Sequence, residues 1–453
     1  MRIGVPTETA PGEQRVGLVP EVVGKLEAKG LDVVVQQGAG TGALLPDSAF
    51  AQAGASLSAS APDVWGCEVV VKIAPPSPEE VRALGAGSIL VGFLAPLTSP
   101  QTTKALADAG ATAFAMEAVP RISRAQSMDA LSSQANVAGY EAALLGAEQM
   151  GRFYPMLMTA AGTIPPAKVL VLGAGVAGLQ ALATAKRLGA RTTGYDVRPE
   201  VAEQVQSLGA QWLDLGLQAS GEGGYARELT EQERAAQQQK LTEAIAGFDV
   251  VITAALVPGR PAPRLVTKAA VESMKPGSVI VDLAGESGGN CECSEPGETV
   301  VKHDVKVLAP LNLPARMPEH ASQMFARNVL ALLDLLVGPK EGAGAEGEGA
   351  EGEVELKLDF DDEIVAGACI VRDGEIVHPG ARAAVEAAGV GQTPAGQTSV
   401  GQAGQTPAGQ TPAGQTPADQ TPAGQTPAGQ TPADQTPADQ TPADRTPGGD
   451  TRP

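Results

Sequence analysis

Apolar residues recur along this chain in two rhythms. Short continuous runs at 2–5, 33–36, 69–73, 88–93 and 112–117 predict buried strands, and segments such as 21–29 and 102–109 predict helices between them. Strands that alternate with helices predict a parallel sheet covered on both faces. A helical pattern over 130–152, with LSSQANVAGYEAALLGAEQMGR as its body, follows a polar loop at 121–129 and is long enough to bridge two domains. Beyond it, strands near 169–172, 192–195, 250–254, 278–282 and 305–308 predict a second doubly wound sheet.

Several stretches break the alternation. Residues 216–240, GLQASGEGGYARELTEQERAAQQQK, are Gly-rich and then highly charged, which is long for a connection inside such a domain, and 216–235 is expected to be a mobile loop. Gly223 and Gly224 put the lone aromatic Tyr225 on a flexible stem. That suits a loop closing over a ligand, although a surface excursion with a stray tyrosine would read the same way. After Pro310, a loop and an amphipathic helix are expected to return to the first domain. Residues 339–353 read as a Gly/Ala/Glu linker, and 354–358 with 370–376, separated by an acidic turn, as a terminal hairpin-like piece. From 391 the five-residue unit GQTPA or DQTPA repeats to the end with almost no apolar bulk, so a disordered tail is expected.

Residues 168–198, KVLVLGAGVAGLQALATAKRLGARTTGYDVR, carry the clearest chemistry. A strand runs into Gly173, Gly175 and Gly178, and then come a helix, a second strand and Asp196, eighteen residues past the third glycine. Gly173 permits the tight turn, Gly175 lets a pyrophosphate approach the backbone, and Gly178 allows close helix–strand packing. The helix N-terminus offers unpaired N–H groups and partial positive charge to the anion. Asp196 is placed to accept hydrogen bonds from an adenosine ribose. Arg198 suits a 2′-phosphate and thus NADP, but Asp196 would repel that phosphate, so NAD is expected. Val176, Val197, Ala255 and Leu256 complete the expected cofactor-binding set. The fold class is α/β: two doubly wound, Rossmann-like domains with a cleft between them and a disordered C-terminal tail. The expected domains are 1–130, completed by about 312–385, and 131–311 for the dinucleotide.

Composition narrows the function. Hydrophobic residues make up 43% of the 453 but aromatics only 3%, so Ala, Val, Leu and Gly must fill closely packed interiors. With 52 acidic against 32 basic residues the formal net charge is −20, which argues against nucleic acid and against docking on an anionic membrane through a basic patch. Four scattered cysteines make no disulfide framework. Cys291 and Cys293, with His303 as their one neighbouring histidine, are too few for a metal site, and no metal is expected. The N-terminus does not read as a signal peptide, and no apolar run nears the roughly 18 residues that cross a bilayer, so a cytosolic chain is expected.

The segments VPRISRAQSMDALSSQAN (119–136) and TAAGT (159–163), together with VGLVPEVV, GGYARE, LVPGRPAP, KPGSVIVDLA and VRDGEIVHP, resemble the soluble NAD(H)-binding component of proton-translocating nicotinamide nucleotide transhydrogenase. The resemblance runs in order from residue 1 to about 380, and RISRAQSMD is its most specific motif. It implies hydride transfer between NAD(H) on this chain and NADP(H) on a partner subunit, coupled to proton movement through a membrane-spanning subunit. It also implies a homodimer, held at the inner face of the cytoplasmic membrane by its partners. The tail without a span resembles the split form, in which this chain is a separate subunit. By the same resemblance Arg121, Gln126 and Asp129 are the catalytic residues. Arg121 and Asp129 hold the carboxamide and ribose of NAD, Gln126 reaches across to the other nucleotide, Ser132 through Gln134 continue the lining, and Tyr225 is the mobile-loop tyrosine.

Alanine dehydrogenases share the fold and are the nearest rival. Dehydrogenating an amino acid needs a protonatable group beside the substrate carbon, whereas hydride exchange between two nicotinamides needs only approach to about 3–3.5 Å. Where those enzymes carry a histidine and an aspartate, this chain matches with Phe93 and Glu286. Arg15 and Lys72 match residues that hold a substrate carboxylate there, so a vestigial pocket is expected. The three histidines, His303, His320 and His378, all fall late in the chain. A silent NAD-binding module that reports redox state is the alternative from outside enzymology.

Overall fold

Strand residues of this chain alternate between two buried faces, and that is what makes its sheets central layers. The structure, a computed structural model, describes residues 1–85, 87–216, 230–257, 259–339 and 354–390. In the strand Lys168–Leu172, Val169 and Val171 enter one apolar cluster while Leu170 and Leu172 enter another on the opposite face. In the first sheet Val69 and Val71 likewise face away from Val70. A period of two with both sides buried is how continuous apolar runs become inner parallel strands.

The first sheet has eight strands in the spatial order Glu375–Ile376, Cys369–Arg372, Thr112–Ala115, Ile89–Gly92, Val69–Val71, Arg2–Val5, Asp32–Gln36 and Ser56–Ser58. The six strands nearest the N-terminus in sequence are parallel, and Cys369–Arg372 adds antiparallel to Thr112–Ala115. The second sheet has seven, in the order Gln211–Trp212, Arg191–Tyr195, Lys168–Leu172, Val250–Thr253, Val279–Asp282, Val305–Leu308 and Thr299–Lys302, with only the last antiparallel. In each sheet the first strand of the set lies inside, so the winding reverses beside it. Such a reversal opens a crevice at the C-terminal strand ends, where ligands bind in folds of this kind.

Two expectations are corrected. Residues 354–358 and 370–376 do not pair with each other. Val354–Leu356 pairs antiparallel with Val337–Pro339, and the hairpin is instead Cys369–Arg372 with Glu375–Ile376, turned by Asp373 at φ +48° and Gly374 at φ +84°. The successive residues Cys369, Ile370 and Val371 are all buried, so this strand belongs to a core edge and not to a free ribbon. Nor does the loop at 216–235 run that far: Glu231–Ile245 is a helix, begun by a reciprocal cap in which Thr230 and Glu233 bond each other's backbone N–H. Residues 217–229, the linker at 340–353 and the repeat tail from 391 lie outside the described residues.

Small residues bring the long helices together. Ala130–Gln149 leaves the first sheet and packs along Val176–Arg187, the helix of the glycine motif. At Gly139 a Cβ would lie 2.1 Å from the Ala177 carbonyl oxygen, so only glycine permits the contact. The returning helix Pro318–Leu336 buries Phe325, Val329, Leu332 and Leu333 against the first sheet.

One part-buried acid holds the loop that follows the strand Ile89–Gly92. Glu117 accepts the N–H groups of Leu94 and Ala95, and Ala95 sits at φ +50°, a left-handed conformation that disfavours residues with a side chain. Burial pushes the Glu117 carboxyl up from its ordinary 4.5 to about 7, and the amides that bond it only partly oppose this. An acid raised in the folded state stabilises fully below its unfolded value and loses that contribution as pH rises through about 7. Glu117→Gln keeps an oxygen for both amides and removes the titration. Unfolding by urea should therefore show the parent losing roughly 2–3 kcal/mol more than the variant between about pH 5 and about pH 8.5. Parallel pH profiles would exclude this role. Separately, Gly139→Ala should cost about 1–3 kcal/mol in the same assay through overpacking, and an unchanged midpoint would show that the two helices can separate freely.

Candidate active site

The glycine turn sits where the second sheet reverses its winding, between Arg191–Tyr195 and Val250–Thr253. Gly173 adopts φ +97°, and its added Cβ would press on the backbone of Ala254 and Ala255 at 2.9 Å. Gly178 could carry no side chain, because a Cβ there would come 1.8 Å from the Gly173 oxygen. Gly175 differs: its Cβ would meet nothing within 4 Å, and it heads the helix Val176–Arg187 without any side-chain cap. The turn thus presents open space at a helix N-terminus whose first N–H groups lack a side-chain acceptor, with the half-exposed Val176 beside it. Those features fit a pyrophosphate.

Asp196 ends the neighbouring strand and is 8% exposed. Its Oδ2 accepts the Ala174 N–H at 2.8 Å, so the acid clamps the glycine turn from the side. It also accepts from Arg198, whose backbone and Nε reach Oδ1 at 2.9 Å and whose Nη2 reaches Oδ2 at 2.8 Å. Val197 packs with Ala255 on the apolar cluster behind the strand ends, while Leu256 is exposed.

At the start of the bridging helix, Asp129 is the N-cap. Its Oδ1 accepts the Ser132 N–H at 2.8 Å and its Oδ2 the Ser132 hydroxyl at 2.6 Å. Gln126 lies on the preceding 3₁₀ turn, Ser123–Met128, and both it and Arg121 are exposed. Gln134, one turn into the helix, is buried and bonds Arg15 and the Ala321 carbonyl. The structure therefore brings Arg121, Gln126, Asp129 and Ser132 onto one loop and helix start. It brings Gly173, Gly175, Val176, Gly178, Asp196, Val197, Arg198, Ala255 and Leu256 to the C-terminal edge of the second sheet. Tyr225 lies outside the described residues.

Several supporting residues escape a reading of sequence alone. Arg124 grips Asp362 through two bonds of 2.6 and 2.9 Å, tying the 121–129 loop to the returning segment. Asn328 on the returning helix accepts from Ser133 and donates to the Ser127 carbonyl. Fully buried Asn290 bonds both the N–H and C=O of Ala255, and is itself held by Asp282. Asp282, also fully buried, accepts further from Thr253, Ala284, Cys291 and Ser294. Only Asp282 leaves a trace in the sequence, as an acid at a strand end, and many such acids have no such role.

The expected vestigial carboxylate pocket is filled from within. Arg15 forks onto Glu13 at 2.8 and 2.6 Å and also bonds Gln134 and Asn312. Burial opposes ionisation of Glu13, but the Arg15 hydrogen bonds and charge, with Asn312, outweigh it and hold the carboxyl below its usual range. Lys72, fully buried, meets Glu8 at 3.1 Å, Glu80 at 3.5 Å and the Ala74 carbonyl at 2.7 Å. Glu286 is exposed and accepts the Asn312 N–H. Phe93 stacks at a tilt on Phe325, with centroids 5.2 Å apart. His378 starts a helix whose Gly380 lies against Leu97 of the loop after Ile89–Gly92, so sequence distance did conceal proximity. Its Nδ1 is committed to capping that helix through the Ala381 N–H, and burial lowers its pKa.

Comparison with known proteins agrees with this fold. The alanine dehydrogenase/PNT N-terminal domain matches residues 4–138, and the alanine dehydrogenase/PNT C-terminal domain matches residues 142–379. An NAD(P) transhydrogenase alpha subunit of Rhodospirillum rubrum is 46% identical over 389 residues, covering 84% of this chain and 98% of that protein. Alanine dehydrogenase of Mycobacterium tuberculosis is 35% identical over 327 residues, 70% of this chain and 83% of that one. The crystal structure of transhydrogenase from Sinorhizobium meliloti superposes with a TM-score of 0.71 at 40% identity, covering 84% of this chain and 99% of the other. With both family domains matched in order, this chain belongs to the alanine dehydrogenase/PNT family, on the side of its transhydrogenase alpha subunits.

Proposed function

We propose that this chain is the NAD(H)-binding subunit of a proton-translocating transhydrogenase. It would exchange a hydride with NADP(H) on a partner subunit, and a membrane-spanning partner would couple the exchange to proton movement. The observation that carries the reading is the state of two cations beside the first sheet. Arg15 and Lys72 are the groups that would hold an amino-acid carboxylate, and both are neutralised by buried glutamates of the chain itself. A substrate acid would have to displace those carboxylates, and truncating such buried pairs leaves an uncompensated charge. What stays open is the uncapped turn at Gly175, while Gln126 lies exposed on its own loop.

The residues divide the task by position. Gly175 and the N–H groups after it hold the pyrophosphate, and Asp196 holds the adenosine ribose. Arg121, Asp129 and Ser132 hold the carboxamide and ribose at the reactive end. Gln126, exposed on its turn, reaches the second nucleotide, and Tyr225 belongs to the segment that closes over the site. When bound, the dihydronicotinamide supplies a hydride from its C4 carbon. No nucleophile and no general acid or base is required of the protein, whose contribution is orientation and exclusion of water. We further propose residues 1–130 with 312–385 as one domain, 131–311 as the nucleotide domain, and a homodimer. Relatives named as alpha subunits support the partner subunits, and no helix among the described residues is long and apolar enough to cross a membrane.

Mixed with an NADP-binding component, the purified chain should reduce NADP with NADH, and alone it should form no NADH from alanine and NAD. Alanine-dependent NADH formation would overturn the assignment. Gln126→Asn should slow transfer by about tenfold or more while NADH affinity stays within about twofold, since it removes reach and not ground-state binding. An unchanged transfer rate would remove Gln126 from the mechanism. Asp129→Ala should lower NADH affinity and also cost about 1 kcal/mol of stability through the lost cap, so calorimetry and unfolding must both move.

A further inference from the structure

The returning helix Pro318–Leu336 keeps an amide in its buried stripe. Ala321, Phe325, Val329 and Leu332 are buried on that face, and Asn328, 8% exposed, stands among them where an apolar side chain would pack at no polar cost. Both polar atoms of that amide reach one junction. Its Nδ2 donates to the Ser127 carbonyl at 2.8 Å, and its Oδ1 accepts from the Ser133 hydroxyl at 2.7 Å. The first bond holds the end of the 3₁₀ turn Ser123–Met128, and the second holds the first turn of Ala130–Gln149, so one side chain brackets Asp129. Gln126 lies one residue before the gripped Ser127. It is exposed, and its side chain makes no hydrogen bond to another described residue, so the backbone alone sets its direction.

We propose that Asn328 is a positioning residue for hydride transfer, which aims Gln126 at the second nucleotide through the Ser127 carbonyl and touches neither coenzyme itself. This rests on the role given to Gln126 above. The other holds on the turn do not fix its direction. Ala125 and Met128 bury their side chains in the first core, but apolar burial is non-directional and settles depth more than orientation. The Arg124–Asp362 pair is directional, yet its side chains are 50% and 19% exposed, where water weakens such a bond. The bond from Asn328 is directional and comes from a buried amide, and hydrogen bonds weaken steeply when misaligned. An amide suits the task because it donates to a carbonyl and accepts from a hydroxyl at once. Rate is sensitive to such aim: a misplacement of about 1 Å caused far from the reacting atoms can cost a hundredfold.

Single-turnover transfer with an NADP-binding partner, together with calorimetric affinity for NADH, tests this on the full chain. Asn328→Leu, similar in volume and without polar atoms, should slow transfer about tenfold at saturating coenzymes and leave NADH affinity within about twofold. In a Gln126→Asn background the same substitution should slow transfer less than about twofold further, because an amide already out of reach has no aim to lose. Asn328→Asp keeps the shape and the bond from Ser133. Its ionised form cannot donate to the Ser127 carbonyl and its protonated form can, so its rate should climb toward the parent's as pH falls, and that of Asn328→Leu should not. This variant also carries the test if Asn328→Leu does not fold. A parental rate in both variants at neutral pH would overturn the proposal. So would equal slowing in both backgrounds, or a loss of NADH affinity that matches the loss of rate, since a purely structural role would produce either. If Gln126→Asn alone transfers at the parental rate, the reading of Gln126 falls, and this proposal falls with it.

Discussion

Two helices of this protein meet at backbone distance, and the layout of the candidate site follows from that contact. Gly139 admits the Ala177 carbonyl, and at the next position of that second helix Gly178 admits the Gly173 carbonyl. These two close approaches set where the helix Val176–Arg187 begins, and its beginning is the open cradle at Gly175. They also fix the helix Ala130–Gln149, whose own beginning is the Asp129 cap and the polar loop before it. The open turn at Gly175 and the loop capped by Asp129 are thus the N-terminal ends of two helices that pack side by side. A chain with more aromatic bulk could not pack this way. The low aromatic content and the glycine and alanine wealth are the compositional face of the same geometry.

Around that pair of helices, polar side chains hold the loops. Asp282 and Asn290 pin the backbone of Ala255, Asn328 pins the loop at Ser127, and Arg124 ties the same loop to Asp362. In the first sheet the same device closes a site and does not open one. Glu13 satisfies Arg15, and Glu8 with Glu80 satisfies Lys72, so cations able to receive a small acid are spent on the fold. Removing one member of such a pair is costly because the other remains buried and charged. The two halves of the fold share one architecture and differ in what is left open: the cations of the first are spent on internal acids, and the second keeps an uncapped helix N-terminus at Gly175.

Much of this was legible in the chain because period-two burial and the glycine turn are local signals. Both parallel sheets follow from apolar runs flanked by helices, and the position of Asp196 follows from its spacing behind Gly178. The pairing of Val354–Leu356 with Val337–Pro339 was not legible, since two adjacent strand-like runs look like a hairpin until the sheet edge claims one of them. Nor was the double use of Asp129: a loop acid and a helix cap have the same sequence signature. Asp196 and Arg198, two residues apart, read as separate ligands, and only side-chain geometry shows that they bond each other. Arg15 and Lys72 suggested a pocket through their match to alanine dehydrogenases, and the glutamates that fill it, Glu8 and Glu13 in loops and Glu80 in the first turn of the helix Pro78–Ala83, carry no mark of that role in the sequence. Long-range satisfaction of charge leaves no periodicity to read.

On the function proposed above, the chain orients one nicotinamide toward another and contributes no acid–base chemistry. Tracing the transferred hydrogen tests it most directly. With NADH deuterated at C4 on the transferred face, an NADP-binding partner and solvent water of natural abundance, the account predicts that the deuterium appears on the NADPH formed. Appearance of that label in water, with solvent hydrogen in the product, would show a protein group or solvent acting between the two rings and would contradict it.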